Sequence, residues 1–232
     1  MSNVSYHQFC PVAMATEVLC CRWTLLVVRE LMLGSHRFND LRRGVPRMSS
    51  ALLAKRLKEL EAAGIVARGR PARGGDALEY RLTDAGLELR PIVEAVGVWG
   101  QRWVTTEATL RHLDANLLMW DVRRNIRAEP PPETRTTVQF IFRDQAPERR
   151  HYWLILEPGQ EVDLCSEDPG HDVDLYVATD LHTLTEAWLG YTTLEAAERE
   201  GRLLLTGSRA LQSALRQWLA LSSFAMVEKQ VA

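Results

Sequence analysis

The stretch SSALLAKRLKELEAAG, residues 49–64, decides the fold of the first part of the chain. Leu53, Leu57 and Leu60 follow the i, i+4, i+7 spacing of one buried helix face. A serine at either of the first two positions is a good N-cap and Gly64 is a good stop, so the stretch predicts a short amphipathic helix. The helix keeps a second face, small and polar with two positive charges, made of Ser50, Ala51, Ala54, Lys55 and Lys58.

Helical patterns precede this stretch and a small hairpin follows it. Residues 11–19, 22–33 and 37–43 have helical character, with Gly34 as a stop before the third segment. Residues 65–68 and 78–82 read as two strands around a Gly- and Arg-rich turn. A long helix is expected from Thr83 to about Val104, bent at Pro91. Three helices, a basic fourth helix and a hairpin predict a mainly α winged helix-turn-helix domain.

Charge is distributed unevenly, although the net charge of the chain is only −2. Residues 1–109 contain 15 Lys and Arg against 11 Asp and Glu, whereas residues 110–232 contain 13 against 19. Residues 22–73 alone contain 12 basic and four acidic side chains. A charge run is usually a solvated surface. Here it is confined to the predicted helix-turn-helix and wing, which favours contact with DNA phosphates.

The residue types on the fourth helix and the wing suit DNA recognition. A helix that enters the major groove needs small residues for close approach, and serine or lysine groups that reach base edges and phosphates. Wing arginines suit the neighbouring minor groove or phosphates. The predicted DNA-binding residues are Arg37, Arg47, Ser49, Ser50, Ala51, Lys55, Lys58, Arg68, Arg70 and Arg73. The expected partner is double-stranded DNA with a palindromic operator.

Several further motifs resemble one family of regulators. They are CPV at 10–12, RWTLL at 22–26, REL at 29–31, RFNDL at 37–41, RLKELE at 56–61 and YRLTDAG at 80–86. Together they are similar to the HxlR branch of the MarR-like winged-helix regulators, over about residues 7–104. The resemblance implies a homodimeric transcription factor, often a repressor, whose first and last helices form the dimer interface.

The last helix of this part has more apolar surface than a thin domain covers alone. The expected dimer-interface residues are Leu89, Ile92, Val96, Trp99 and Trp103. A two-fold partner would cover this face economically. The alternative is that the C-terminal part of the same chain covers it.

Cys10 precedes Pro11 and is therefore expected at the N-cap of the first helix, where the helix dipole lowers a thiol pKa. The resemblance implies a redox or electrophile sensor, because the corresponding cysteine has that role in several relatives. The alternative is a structural or merely inherited cysteine. The sequence contains no C-x-x-C pair and no calcium-loop spacing, so no metal and no cofactor are predicted.

After Thr105 the pattern changes to strands, short helices and a closing helix capped by Ser208. A boundary is expected at residues 105–109, with a winged-helix domain over 1–105 and an α+β domain over 110–225. The segments DLYVATD at 174–180 and GRLLLTG at 201–207, with the helical residues between them, resemble the sterol carrier protein type 2 fold. That resemblance implies a five-stranded sheet and helices around a hydrophobic tunnel for lipids.

Aromatic and aliphatic side chains without catalytic partners are the main feature of the second domain. The candidate ligand-pocket residues are Phe140, Phe142, Trp153, Leu184, Trp188, Tyr191, Leu215 and Trp218. Packing in an ordinary core is the alternative interpretation, because core and pocket residues have the same composition. No nucleophile with a matching base is found, so an enzyme is not predicted.

The leading prediction is a dimeric DNA-binding regulator, a repressor by resemblance, whose C-terminal domain binds a hydrophobic small-molecule effector. Two other functions stay open. The first is a lipid-binding or carrier protein that uses the winged helix only for dimerisation, and the second is a Cys10 redox-sensing repressor with a structural C-terminal domain. No apolar run approaches the roughly 20 residues that span a bilayer, and no signal peptide is visible. A cytoplasmic protein without a membrane partner is therefore expected.

Overall fold

A computed structural model of the chain describes residues 5–70 and 78–231. The chain forms two compact units, residues 1–97 and 98–232. The division falls inside a helix, Arg90–Trp103, and lies earlier than the boundary near Thr105 that the composition indicates. The last turns of this helix pack within the second unit, where the buried amide of Gln101 donates a hydrogen bond to the carbonyl of Leu189.

The first unit is helical with one antiparallel hairpin. Its elements are α1 (Pro11–Leu19), α2 (Thr24–Met32), α3 (Phe38–Gly44), α4 (Ser50–Ala62), β1 (Val66–Gly69), β2 (Glu79–Leu82), α5 (Asp84–Leu87) and the first part of α6 (Arg90–Trp103). The long helix expected from Thr83 is thus two helices. Pro91 explains the break, because a residue without an N–H fits the first turn of α6 but not a helix interior.

Within the described ranges no single helix is long and apolar enough to cross a membrane. Helices α1 and α2 meet that length and composition only when they are taken together, as a pair bent by 80°.

One hydrophobic core holds α2, α3, α4 and the hairpin together. Leu53, Leu57 and Leu60 are at most 1% exposed, which confirms the predicted buried face of α4. The other buried members of this core are Val27, Val28, Leu31, Leu41, Val45, Met48, Ile65 and Val66. Because the leucines of α4 pack into the core, the opposite face of α4, which is small and basic, is exposed to solvent.

A buried carboxylate lies between α2 and α3. The side chain of Glu30 is fully buried, and its Oε2 accepts a hydrogen bond from the Ser35 hydroxyl at 3.3 Å. Its Oε1 lies 3.4 Å from the guanidinium of Arg29. Gly44, at the end of α3, packs so closely that a Cβ on it would lie 1.8 Å from Glu30 Oε2. The end of α3 therefore has to be a glycine for the carboxylate to stay in place.

The second unit contains a mixed five-stranded sheet and helices. Its elements after α6 are α7 (Thr106–Leu110), α8 (Ala115–Asn125), β3 (Thr136–Phe142), a 3-10 turn (Pro147–Arg149), β4 (His151–Leu156), β5 (Asp163–Cys165), β6 (Leu175–Thr179), α9 (Leu181–Trp188), α10 (Leu194–Arg199), β7 (Leu204–Gly207) and α11 (Arg209–Trp218). The strand order is β5-β4-β3-β6-β7. The pairing of β3 with β6 is parallel, and the other three pairings are antiparallel. This unit is α+β, as the sequence predicts.

Alternate residues of the strands divide the sheet into two faces. One face packs with α8, α9 and α11 in a single core, to which β3 contributes Val138, Phe140 and Phe142. The opposite face carries Gln139, which pairs in register with Trp153 on β4 and with Tyr176 on β6. The two faces therefore present different side chains, and only the first contributes to the main core.

We predict that Gly44→Ala lowers the free energy of unfolding by about 3 kcal/mol, because the new methyl group displaces the buried Glu30 carboxylate. Chemical denaturation measures this loss. Gly100→Ala is the matched control, since Gly100 is also helical and a Cβ there meets no atom of the described residues within 4 Å, apart from its chain neighbours and its own helix backbone. The control is expected to be neutral, or more stable by up to about 1 kcal/mol. Equal effects of both substitutions would contradict the steric explanation.

Candidate nucleic-acid interface

Helix α4 presents a small, basic face to solvent. Its N-cap is Ser49, whose hydroxyl accepts a hydrogen bond from the backbone N–H of Leu52 at 3.3 Å. This bond satisfies one of the free donors of the first turn and sets the start of the helix. The predicted contact residues of this helix are all exposed, namely Ser49, Ser50, Ala51, Lys55 and Lys58.

An open depression of about 400 Å³ follows this face. It is lined by Ala51, Ala54, Lys55, Lys58, Glu59 and Ala62. The alanines allow another molecule to approach the helix backbone closely, and the lysines supply positive charge. The carboxylate of Glu59 is held by Arg56 at 2.6 Å, so its negative charge is partly neutralised by a neighbour on the same helix.

Exposed arginines lie before and after α4. Arg47 is exposed in the turn that precedes the helix, and Arg68 and Arg70 are exposed on β1 and directly after it. Arg73, the third predicted wing arginine, lies outside the described residues. Arg42 and Arg43, in the last turn of α3, are exposed too, although they are not among the predicted contact residues. The pair stands out in the motif RFNDLRR and was a usable signal.

Arg37 differs from the other predicted contact residues because a carboxylate holds it. It is the N-cap residue of α3, and its Nε lies 3.9 Å from Oε1 of the largely buried Glu79. The same carboxylate receives the guanidinium of Arg81 at 2.7 Å. The side chain of Arg37 is still 62% exposed, so it keeps access to an anion while its charge is partly balanced.

Helix α6 carries an exposed apolar stripe. Ile92, Val96, Trp99 and Trp103 are 44%, 52%, 62% and 48% exposed, respectively. Their spacing of four, three and four residues puts them on one side of the helix. Leu89, the fifth predicted interface residue, differs from them: it is half-buried and packs on the core of the first unit. Because its apolar surface is partly covered by its own chain, the stripe begins at Ile92.

Helix α1 also lacks cover in the single chain. None of its nine described residues is buried, and Val12 and Met14 are 70% and 59% exposed. Phe9, just before the helix, is 98% exposed. Apolar side chains this accessible are typical of a surface that another molecule covers.

Cys10 is the N-cap residue of α1 and is exposed. The nearby backbone amides of Ala13 and Val12, in the first turn of the helix, lower the pKa of its thiol, because their N–H groups stabilise the thiolate. An accessible thiol of this kind is more nucleophilic near neutral pH than an ordinary one.

The candidate pocket residues of the second unit do not all meet. Phe140, Phe142, Leu184, Trp188, Leu215 and Trp218 belong to one core between the sheet and the helices. Trp153 does not join them, since its neighbours Tyr152 and Leu154 point into that core and the strand alternates. Trp153 lies on the opposite face, stacked against His151 with ring centroids 5.9 Å apart.

Tyr191 also lies outside this group. It is half-buried, and its hydroxyl donates to the side-chain oxygen of Gln101 at 3.3 Å and accepts from Lys229 at 3.0 Å. These polar contacts make it part of a hydrogen-bond network at the end of α6. The sequence gives no sign of this network, because its partners are far apart along the chain.

Comparison with known proteins places the first half of the chain among helix-turn-helix proteins. The family described as HxlR-like helix-turn-helix matches residues 18–108. The uncharacterised HTH-type transcriptional regulator YvaP of Bacillus subtilis (strain 168) is 37% identical over 102 residues, which are 44% of this chain and 94% of that protein. A second regulator of the same organism, YybR, is 36% identical over 92 residues, which are 40% of this chain and 74% of YybR.

Solved structures match the same part of the chain. The reduced form of the redox regulator HypR is 35% identical, with a TM-score of 0.37, and the match covers 40% of this chain and 91% of HypR. The transcription factor PA1607 is also 35% identical, with a TM-score of 0.39, over 41% of this chain and 66% of PA1607.

Proposed function

The chain belongs to the HxlR-type family of helix-turn-helix transcriptional regulators, which are not enzymes, and on that premise we propose that it is a homodimeric repressor controlled by a hydrophobic effector. DNA binding is the activity of the first unit. We propose further that the dimer binds a palindromic operator in the cytoplasm and that the second unit binds a small apolar molecule.

The observation that carries the proposal is the outward face of α4. Its leucines are fixed in the core, and its capped N-terminus, alanines and two lysines are all accessible. A face of this kind fits the major groove, with Arg47 before the helix and Arg68 and Arg70 after it available for phosphates. The exposed stripe of α6 and the uncovered α1 support a second copy as the partner that completes the dimer.

The effector part of the proposal rests on the second unit. Its five-stranded sheet, with a core packed between one face and the helices, supports this part of the proposal, which starts from the resemblance to sterol carrier protein type 2. The indole N–H of Trp218 is buried in this core and has no hydrogen-bond partner among the described residues. A buried donor without an acceptor is costly, so this site favours an apolar molecule that brings a carbonyl or hydroxyl oxygen. We therefore place the effector beside Trp218, with Phe140, Leu184 and Trp188 as neighbouring candidates.

The DNA contacts are tested by the salt dependence of binding to a duplex that the wild-type chain selects from random DNA. Lys55→Ala and Lys58→Ala are each expected to lower the slope of log K against log salt by about one, because each removes one phosphate contact. Arg209→Ala is the control, since Arg209 is exposed on α11 of the second unit. Unchanged slopes for both lysine variants would remove α4 from the interface and favour a lipid carrier that uses the winged helix only to dimerise.

The dimer and the effector are tested together by native mass spectrometry of the protein purified from its own host. The expected ion is a dimer that carries the added mass of an apolar molecule.

Val96→Glu puts a charge in the centre of the α6 stripe, so it should give single chains and at least a tenfold loss of operator affinity. Glu94→Gln on the same helix is the control. A Val96→Glu dimer would contradict the role of the stripe, and loss of all added mass from wild type would contradict the effector.

A second candidate function is favoured by the N-cap position and lowered pKa of Cys10. In this alternative the first unit itself senses oxidants or electrophiles, and the second unit is structural. The lowered pKa means that the thiolate of Cys10 persists to lower pH than an ordinary thiolate, so the thiol stays reactive near pH 7.

We predict that iodoacetamide alkylates Cys10 several-fold faster than Cys20 at pH 7, as measured by peptide mass spectrometry. Cys20 is the internal reference because it is also exposed. If Cys10 is the sensor, Cys10→Ser abolishes the release of operator DNA by peroxide. A peroxide response that survives in Cys10→Ser would remove this cysteine from the mechanism, whatever its alkylation rate.

A further inference from the structure

Residues 220–231, called the strap here, connect two distant parts of the second unit. They follow α11 and run past the end of α9 to the end of α6. At the α9 end, the backbone N–H of Ser222 donates to the carbonyl of Trp188 at 2.8 Å. This bond ties the strap to a residue that is buried in the core between sheet and helices.

The next contact is steric. Gly190 has φ of 78°, and a Cβ built on it would lie 2.8 Å from the carbonyl oxygen of Ala225 and 3.0 Å from its Cβ. Glycine is therefore needed at this turn both for its backbone conformation and for the close approach of the strap. Because the strap lies directly on the turn after α9, a shift of that turn moves the strap.

The far end of the strap caps α6. The ammonium of Lys229 donates to the backbone carbonyl of Gln101 at 3.3 Å, and the N–H of Gln230 donates to the carbonyl of Arg102 at 2.9 Å. Both carbonyls belong to the last turn of a helix, where no intrahelical donor is available. A positive charge at this end also interacts favourably with the helix dipole.

Tyr191 and the side chain of Gln101 join the same network. The hydroxyl of Tyr191 accepts from Lys229 at 3.0 Å and donates to Gln101 at 3.3 Å, and the Lys229 ammonium lies 4.9 Å from the centre of the tyrosine ring. The amide of Gln101 donates in turn to the carbonyl of Leu189. The turn that follows α9 is thus bonded to the end of α6 both directly and through Lys229.

We propose that the strap transmits the packing of α9 around Trp188 to the last turns of α6, the helix that carries the exposed apolar stripe. This inference rests on the proposed function for its biological meaning. An effector that repacks Trp188 moves the carbonyl to which Ser222 is bonded, and the strap passes that displacement to the cap of α6. Only a ligand that binds one packing better than the other shifts the equilibrium.

The experiment is a double-mutant cycle read by amide hydrogen exchange on the full chain, without DNA or lipid. Lys229→Met keeps the length of the side chain but removes both donated hydrogen bonds, and Trp188→Leu perturbs the α9 end. Each is expected to raise exchange in peptides covering residues 98–104 about three- to tenfold, the range that loss of a helix-end cap gives. Glu228→Gln, an exposed neighbour in the strap, is the control and should exchange like wild type.

Transmission through the strap requires that the two effects are not additive. In the Lys229→Met background, Trp188→Leu should raise exchange at residues 98–104 by less than twofold. Two independent, additive effects, or wild-type exchange at this helix end in Lys229→Met, would overturn the proposal.

Failure of the proposed function gives a different result. If the chain binds no operator or no apolar ligand, the exchange cycle still decides whether the strap couples α9 to α6. Conversely, an effector that changes operator affinity equally in wild type and Lys229→Met would support the proposed function and contradict the strap.

Discussion

The buried carboxylate of Glu30 is the constraint on which the helix-turn-helix depends. A charge without contact to water is tolerated only where hydrogen bonds and an opposite charge surround it, and Ser35 and Arg29 supply these. The same carboxylate occupies the space next to Gly44. The end of α2, the turn after it and the end of α3 are therefore positioned by one polar group rather than by apolar packing alone.

The groups that the two hydrophobic cores leave exposed, or buried without a hydrogen-bond partner among the described residues, are the ones that suit binding partners. In the first unit the core takes the leucines of α4 and the half-buried Leu89, so the lysines and alanines on α4 stay accessible. The stripe that starts at Ile92 and continues along α6 is accessible too. In the second unit the core takes one face of the sheet and leaves the indole N–H of Trp218 without an acceptor in the part of the chain that the structure describes. Basic, apolar and buried polar groups thus occur at three separate places, each suited to a different class of partner: DNA, a second copy and a small molecule.

Local patterns predicted much of this structure, and long-range contacts limited the rest. The i, i+4, i+7 leucines and the serine cap identified α4, because both depend on residues within two helical turns. Alternation identified the strands but did not tell which face of β4 lies beside Phe140, since this depends on the register between β3 and β4. The sequence pattern alone therefore groups Trp153 with residues that lie on the other face. The strap had no signal at all, because its bonds go mainly to backbone carbonyls, which every residue type has.

Helix α6 is continuous from Arg90 to Trp103, so the side of the helix on which each of its residues lies is fixed by the number of residues between them. Successive residues of an α-helix are turned by about 100° from one another. Insertion or deletion of one residue between Val96 and Trp99 would rotate the two tryptophans away from Ile92 and Val96, and would turn Gln101 with them. The four apolar side chains of the stripe therefore share one side of α6 only while the number of residues between Ile92 and Trp103 is kept. A chain with one residue inserted there would retain a helix but would lose its continuous apolar side.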